Sequence, residues 1–341
     1  MFCNKLNSMH KKWQDQNRFL ELLENPWYKL LVKLQNFISV STYKYWDSQQ
    51  LQTLHLPITT STVSSPMGLG SDSKPVKIKL GGVETYLADS MQFMLEYGCR
   101  FFDEGSFYIM PSFRGEDCSP RHLSQFYHSE IEVPGNLEKV IQMAEGYIKF
   151  LSQGILQSFG IDIAQYTGDV SHLEVLANST KNLPRITFDD ALKQLNNDPL
   201  YIHHSSDGWR TLTHNGESEL IRQFSGFVWV THFDHLSMPF YQAFADDRMK
   251  TALCADLLFG IGEVIGSGER HQTADDTLKA LALHRVPVDD YHWYVHMKRK
   301  IPKKTSGFGM GIERFLLWVL RHADIRDMQI LPRFIGVKIN P

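Results

Sequence analysis

Apolar residues at helical spacing predict helices near the start, in the middle and at the end of the chain. Residues from about 12 to 50 contain two helical stretches, with an apolar stripe that runs through Leu31 and Leu34. A long run of the same kind predicts a helix from Leu137 to Gln157, and a shorter run predicts a closing helix from Glu313 to Leu320.

Alternating apolar and polar positions predict strands between these helices. The pair Gly81-Gly82 predicts a hairpin turn between the first two strands. The predicted strands are Val76–Leu80, Thr85–Leu87, Phe107–Phe113, Gln125–Val133, Phe227–Val230, Leu257–Ile265 and Gly307–Ile312. Because most of them would pair with a sequence neighbour, the pattern predicts an antiparallel sheet flanked by helices, an α+β fold.

The pattern predicts one main domain with a helical extension before it. A Ser/Thr-rich loop follows the extension, from Thr59 to Ser65, and Pro66 and Gly68 keep it out of a helix. The predicted parts are a helical extension packed on the core (1–50), the main domain (51–341) and, within it, a polar and less regular insertion or cover (160–225).

Composition narrows the class of protein only slightly. The hydrophobic fraction of 43% suffices for a core, and no apolar run is long enough to cross a membrane. The four cysteines show no CxxC pairing, which favours a reduced, cytoplasmic protein without structural zinc. A formal net charge of −3 provides no broad attraction to nucleic acid, so DNA binding is not expected, although a local basic groove for tRNA is compatible with it.

The segment from Phe113 to Phe126 contains side chains suited to a nucleoside triphosphate. The planar guanidinium of Arg114 can bind two oxygens of an α-phosphate. Glu116 can accept from an adenine amino group, and Arg121 with His122 can reach the β- and γ-phosphates. Phe126 offers a face for stacking on adenine, although such a residue is as common in a core.

Two carboxylates further along the chain are candidate magnesium ligands. Asp256 and Glu263 flank a glycine-containing segment, and carboxylate oxygens are what Mg²⁺ prefers. Asp256 is equally compatible with a role in capping a turn. Arg270 follows the same glycine-rich run, which favours a ligand contact over a solvated surface charge.

The sequence Gly-Phe-Gly-Met-Gly-Ile-Glu-Arg is the most specific segment. Gly307, Gly309 and Gly311 alternate, so one face of a strand would be bare and a base or ribose could lie against it. Arg314, one turn into the next helix, would then reach the γ-phosphate.

The segment from Phe113 to Phe126 resembles motif 2 of the class II aminoacyl-tRNA synthetases, and the glycine-rich segment from Gly307 to Arg314 resembles their motif 3. Further stretches resemble asparaginyl-tRNA synthetases in particular: Gly262–Gly266, Glu269–Arg270, Trp293–Tyr294, Pro184–Phe188 and Gly307–Arg333. The resemblance runs with gaps from about Pro57 to Arg333. It implies a class II catalytic domain over residues 51–341, ATP and Mg²⁺ as cofactors, and a homodimer formed through the helix and strand that end at Pro57.

The resemblance also assigns an amino-acid pocket. Ser90 and Gln92 would hold the α-amino end of the substrate, and Arg270 would face its side-chain oxygen. Aspartyl enzymes have a lysine where Leu95 stands, whereas asparaginyl enzymes have a glutamate where Glu96 stands, to accept from the carboxamide. Asparagine is therefore favoured over aspartate as substrate, unless Glu96 is an ordinary helix residue.

Several departures from the family pattern bear on the acyl acceptor. The oligonucleotide-binding barrel that reads the anticodon does not fit into the residues before Pro57, and the glutamate that binds the α-ammonium has no counterpart between Thr59 and Ser65. The chain also resembles archaeal asparagine synthetases, which lack that barrel but keep the lysine. The expected function is activation of asparagine, or a close relative, as an adenylate, with transfer to an acceptor other than anticodon-read tRNA. The alternatives are an asparagine synthetase that uses aspartate and ammonia, a truncated asparagine–tRNA ligase, and a non-catalytic binding paralogue.

Overall fold

A mixed but mainly antiparallel sheet organises the protein. The computed structural model describes residues 13, 15, 17–64, 69, 74–336 and 338–339, so Ser65, Pro66 and Gly68 of the predicted loop, like Cys3, lie outside the described residues. The strands are β1 Gln52–Thr53, β2 Thr59–Thr60, β3 Val76–Leu80, β4 Val83–Leu87, β5 Ser106–Phe113, β6 Gln125–Pro134, β7 Arg185–Thr187, β8 Ile202–His204, β9 Arg210–Leu212, β10 Phe227–Thr231, β11 Cys254–Phe259, β12 Gly262–Glu269 and β13 Thr305–Gly311.

Eight of these strands form the main sheet in the order β1-β5-β6-β13-β12-β11-β10-β7. The inner pairs are antiparallel, and only the two edge pairs, β1 with β5 and β10 with β7, are parallel. Strands β2, β4 and β3 form a small separate sheet, and β8 pairs with β9. The predicted α+β class and its antiparallel sheet are confirmed.

Helices cover the sheet and supply most of its apolar contacts. They are α1 Arg18–Glu24, α2 Pro26–Ser48, α3 Gln92–Gly98, α4 Leu137–Thr167, α5 Ser171–Ala177, α6 Phe188–Gln194, α7 His214–Gln223, α8 Ala274–Leu283, α9 His292–Lys300 and α10 Ile312–Val319. Short 3₁₀ helices occupy His235–Ser237, Asp289–Tyr291 and Ile325–Met328.

Two element predictions need correction. The predicted strand Leu257–Ile265 is wrong, because the chain turns there: Gly260 (φ +62°) and Gly262 (φ +135°) adopt backbone conformations that glycine favours, and β11 pairs with β12 across this turn. The segment 160–225 is more regular than predicted, since it contains α5, α6 and α7, and its strand β7 joins the edge of the main sheet. The division of the chain into an extension, a main domain and a cover stays a prediction.

The two faces of the sheet differ because side chains alternate along its strands. On one face, Phe308 of β13 packs beneath α2 and α4, where the Trp46 ring lies 5.9 Å from Phe308 and 4.9 Å from Tyr147 between centroids. Phe308, Trp46 and Tyr147 are fully buried. The glycines of β13 therefore lie on the opposite face, and that face carries the candidate site.

Candidate active site

Four glycines form a floor without side chains in the middle of the sheet. The register places Gly309 of β13 opposite Gly266 of β12, and Gly307 opposite Gly268. Acidic residues border this floor, because the next strand on one side places Glu130 opposite Gly309 and Glu132 opposite Gly307, while Asp256 of β11 lies opposite Gly266. A ligand lying on this floor would be in contact with backbone and would be flanked by carboxylates.

A cleft opens at one end of this floor, and it gathers the residues predicted to bind ATP other than Gly307. Its walls also include His128, Glu313 and Glu263. The lining is Arg114, Glu116, Arg121, His122, Leu123, Phe126, His128, Glu263, Val264, Gly309, Gly311, Glu313, Arg314 and Ile325. Residues from two segments almost 200 positions apart therefore meet in one site.

Arg114 lines the cleft and forms no salt bridge with any residue that the structure describes. Its backbone N–H donates to the Ser124 carbonyl (2.9 Å), which anchors the main chain, and its guanidinium lies 5.5 Å from the centroid of the Phe126 ring. The buried Nε of Arg114 has no hydrogen-bond partner among the residues that the structure describes. A buried guanidinium nitrogen without an acceptor is suited to an incoming phosphate oxygen.

Arg314 and Arg121 add two further positive charges to the same cleft. Arg314 donates from Nη1 to the backbone oxygen of Glu263 (2.6 Å), and Arg121 donates from Nη2 to Glu217 Oε2 (2.9 Å) and to the Ile261 carbonyl (2.9 Å). Burial lowers the pKa of Arg314, and the positive charges of Arg114 and Arg121 lower it further. A polyanion would relieve this repulsion.

His128 lies between these arginines and was not predicted from the sequence. Burial, and after it the charges of Arg114 and Arg314, lower the pKa of His128 to about 3, so this imidazole is neutral. Its Nδ1 lies 2.9 Å from Ser112 Oγ. His128 is on the site face of β6, two residues after Phe126, so alternation along the predicted strand was the available signal.

The remaining predicted nucleotide contacts lie at the rim of the cleft. Glu116 Oε1 accepts from the backbone N–H of Lys74 (2.7 Å), so this carboxylate holds a neighbouring segment in the present state. His122 Nδ1 lies 2.8 Å from Ser119 Oγ. Phe126 is partly buried against the core, with its ring also at 4.7 Å from His128, and its stacking on adenine stays a prediction.

The two predicted metal ligands lie together over Gly266. A methyl group added there would be 2.8 Å from Glu263 Oε1 and 3.6 Å from Asp256 Oδ1. Burial raises the pKa of Asp256 well above its usual range, and the like charges of Glu263 and Glu217 raise it further. No group of three or more His, Cys, Asp or Glu side chains in the described part of the chain is arranged to hold a metal ion. Two carboxylates that repel each other beside the cleft nevertheless fit Mg²⁺, which takes its other ligands from phosphates and water.

The glycines of β13 do not all line the cleft. Gly309 and Gly311 line the cleft, and the nearest atoms to a methyl group at Gly311 would be those of the Arg314 stem, at 3.7 Å and beyond. A methyl group at Gly307 would instead overlap the side chains of Glu132 and Gln92. The prediction that Gly307 leaves room for a base or ribose is therefore wrong, because polar side chains already occupy that space.

Those polar side chains form a buried layer next to the nucleotide cleft. Gln92 Nε2 donates to Glu132 Oε2 (2.6 Å) and to the Ile131 carbonyl (2.7 Å). Arg270 donates to Glu132 from Nε (3.2 Å) and Nη2 (3.1 Å). Ser90 Oγ donates to Glu130 Oε2 (2.7 Å), and burial raises the pKa of Glu130 to about 8. Three of the four residues predicted to bind the amino acid thus meet in one layer around Glu130 and Glu132.

Glu96, the fourth, is enclosed by cations. Lys298 Nζ, on α9, donates to Glu96 Oε1 (2.6 Å), Arg100 Nη2 lies 3.1 Å from the same oxygen, and the Tyr294 hydroxyl donates to Oε2. Glu96 and Lys298 are almost completely buried. The contact of Glu96 with a substrate carboxamide stays a prediction. Because Lys298 balances the charge of Glu96, like-charge repulsion from Glu96 is a weak argument for asparagine over aspartate.

Comparisons with solved structures agree with this geometry. Asparaginyl-tRNA synthetase from Pyrococcus horikoshii, complexed with asparaginyl-adenylate, superposes with a TM-score of 0.84 at 23% identity, over 95% of this chain and 73% of that chain. The enzyme from Entamoeba histolytica in complex with asparaginyl-adenylate gives 0.77 at 20% identity, over 90% and 67%. Aspartyl-tRNA synthetase from Entamoeba histolytica gives 0.74 at 20% identity, over 96% and 62%. At these identities the likeness defines the fold, that of a class II synthetase catalytic domain.

The family follows from a sequence model that matches almost the whole chain. The model of the class II tRNA synthetases (D, K and N) matches residues 10–335. The chain belongs to this family, whose members are ATP-using ligases that form an aminoacyl adenylate and release pyrophosphate and AMP. None of the helices in the described part of the chain is long and apolar enough to span a membrane.

Proposed function

We propose that this protein activates asparagine, or a close relative, as an aminoacyl adenylate. The observation that carries the proposal is the cleft itself, where Arg114, Arg121 and Arg314 face one space and the carboxylates of Glu263 and Asp256 lie at its side. Cations for a polyanion beside oxygen ligands for a divalent ion are what ATP with Mg²⁺ requires.

The reaction joins the substrate α-carboxylate to the α-phosphorus of ATP. A carboxylate oxygen forms the new P–O bond while the bond between the α-phosphorus and the bridging oxygen breaks, so pyrophosphate leaves with the electron pair. Arg114 binds the α-phosphate and stabilises its developing charge, and Arg314 binds the γ-phosphate, with Arg121 and His122 at the leaving group. Phe126 stacks on adenine, and Glu116 accepts from its amino group. Glu263 and Asp256 would hold Mg²⁺, which would supply Lewis-acid stabilisation of the phosphate oxygens.

The polar layer next to the cleft receives the amino acid. Ser90 and Gln92 hold its α-amino end, and Arg270 donates to its side-chain oxygen. Leu95 lies in an apolar cluster with Ala88, Met91, Tyr108 and Met110, so no cation is presented from that position. This arrangement favours the neutral side chain of asparagine.

Aspartate is the second candidate, and one observation favours it. Lys298 is a fully buried cation beside Glu96, and Arg100 and Arg270 lie in the same region. Glu96 and Glu132 balance only two of these three positive charges, so the region has room for one more negative charge. An aspartate carboxylate would supply it.

Amino-acid-dependent exchange of pyrophosphate into ATP separates these candidates. The proposal predicts exchange with asparagine and at most weak exchange with aspartate. Exchange with aspartate alone would overturn the choice of asparagine and favour the second candidate. The acyl acceptor can then be identified by adding tRNA, ammonia or small amines to the enzyme with this substrate and measuring which one receives the aminoacyl group.

A homodimer through α2 and β1 is proposed on family resemblance, and sedimentation tests it.

A further inference from the structure

The loop after β10 places one glutamine over the glycine floor. Gln242 is only 5% exposed, and a methyl group at Gly268 would overlap its amide. We propose that Gln242 is a specificity-determining residue of the amino-acid pocket, and that its amide nitrogen donates to an oxygen at the end of the substrate side chain. This inference rests on the proposed function, because it assumes that the layer over Gly268 and Gly307 receives the amino acid.

Arg270 fixes the orientation of the Gln242 amide. Its Nη1 donates to Gln242 Oε1 (2.8 Å), and a guanidinium has only donors, so the amide oxygen faces Arg270. The amide nitrogen is left as a donor over the floor, where a methyl group at Gly268 would be 2.9 Å from it. The hydrogen bond that this side chain makes to Arg270 uses its oxygen, which leaves the nitrogen available to a ligand. An acceptor from a ligand would satisfy it.

The backbone of this loop is held firmly against the end of β12. Gln242 and Arg270 form an antiparallel bridge, and the Ala243 N–H donates to the Glu269 carbonyl (2.7 Å). The position of the Gln242 side chain is therefore tied to that of Arg270.

Two buried histidines hold the same loop from behind. His235 Nε2 lies 2.8 Å from the Gln242 carbonyl oxygen, so this nitrogen carries the proton, and His235 Nδ1 must accept from His284 Nε2 (2.9 Å). Burial lowers the pKa of His235 to about 4 and that of His284 to about 3, so both rings are neutral. A chain of defined tautomers thus preorganises the glutamine.

The chemistry of the pocket follows from its donors. Gln242 and Arg270 present N–H groups side by side, so a substrate side chain must bring an acceptor oxygen, as a carboxamide or a carboxylate does. A side chain that ends in a methyl group would offer no acceptor to the Gln242 amide nitrogen, because Arg270 is already bonded to Glu132 and to the Gln242 oxygen, and such a mismatch is unfavourable. Gly268 is required as well, because any larger residue would displace the amide.

The substitution Gln242→Glu tests the donor with almost no change in shape. It keeps an oxygen for Arg270 and replaces the free NH₂ by a second acceptor. In pyrophosphate exchange we expect a roughly ten- to hundredfold rise in KM for asparagine, the cost typical of a buried polar group left without its partner, with KM for ATP within about twofold of wild type. The inhibition constant of aspartate should rise at least as much, because two carboxylates would face each other.

Controls separate this role from a structural one. Gln242→Met keeps the volume without introducing charge and should also raise KM for asparagine alone. Gln157→Glu makes the same charge change at an exposed position of α4 and should leave both constants unchanged. An unchanged KM for asparagine in both Gln242 variants, or a parallel rise in KM for ATP, would overturn the inference. Absence of exchange by the wild-type protein with every amino acid would instead contradict the proposed function, and this inference with it.

Discussion

Replacing Arg114 by methionine should abolish most of the activity and leave the fold intact. Arg114 makes no ion pair within the described part of the chain, and its side chain touches the Phe126 ring instead. Methionine has a similar length and is apolar, so it removes the charge and fills most of the space. The substitution should therefore lower the activity strongly without lowering the stability.

The magnitudes can be estimated from these contacts. Loss of the cation–π contact costs about 0.5–1 kcal/mol, whereas removal of a buried nitrogen without a partner returns about 1–3 kcal/mol. The free energy of unfolding should therefore be unchanged or up to about 2.5 kcal/mol higher. Loss of one preorganised donor to the developing charge on the α-phosphate should lower kcat by about 10²–10³, or roughly 3–4 kcal/mol.

Pyrophosphate exchange tests the predicted loss of activity, and denaturant unfolding of the same preparation tests the predicted stability. Arg326→Met serves as a matched control, because Arg326 is paired with Asp324 by two hydrogen bonds of 2.8 and 2.6 Å and is not among the residues that line the cleft. It should keep the activity and lose a little stability. An active Arg114→Met, or one destabilised by several kcal/mol, would refute the assignment of Arg114 as an unpaired phosphate ligand.

Three further predictions follow from the same geometry. Arg314→Ala and Glu263→Ala should each reduce exchange to background with near-wild-type circular dichroism; wild-type activity in either would remove its assignment. Glu96→Gln leaves the buried Lys298 without a negative partner and should lower the free energy of unfolding, measured in urea, by about 3–5 kcal/mol. The double variant Glu96→Gln/Lys298→Met removes both charges and should lose less, so an equal loss in the double variant would contradict this reasoning. Burial raises the pKa of Glu130 from 4.5 to about 8, so the folded state binds the extra proton and stability should fall as pH rises between these values. Glu130→Gln should show a smaller loss of stability over this pH range, as measured by thermal melts from pH 5 to 8.5. The same dependence of melting temperature on pH in the variant and in the wild type would contradict this prediction.

The nucleotide cleft could be predicted because its residues belong to short local patterns. Arg114 and Phe126 lie at the two ends of one hairpin loop, and Gly309, Gly311 and Arg314 cross one strand–helix junction. The resemblance of these two segments to motifs 2 and 3 then predicts that they meet in one site. The turn at Gly260 was missed because glycines inside an apolar run fit an interrupted strand as well as a hairpin.

The amino-acid layer was harder to predict because its partners are distant in sequence. Glu96 was expected to face the substrate, but Lys298, 202 positions away, neutralises it from another helix. Glu217 reaches Arg121 from a segment expected to be a mere cover. Only Glu130 and Glu132 left a local signal, as alternate acidic residues on the site face of a predicted strand.

The most direct test of the central claim is to detect the intermediate. Stoichiometric protein is mixed with Mg²⁺, asparagine and ATP labelled at the α-phosphate, with pyrophosphatase to remove the leaving group, and quenched products are separated within seconds. We expect close to one labelled asparaginyl-adenylate per active site in the wild-type protein, and none in Arg114→Met. Labelled ADP, or unchanged ATP with asparagine and with every other amino acid, would contradict it.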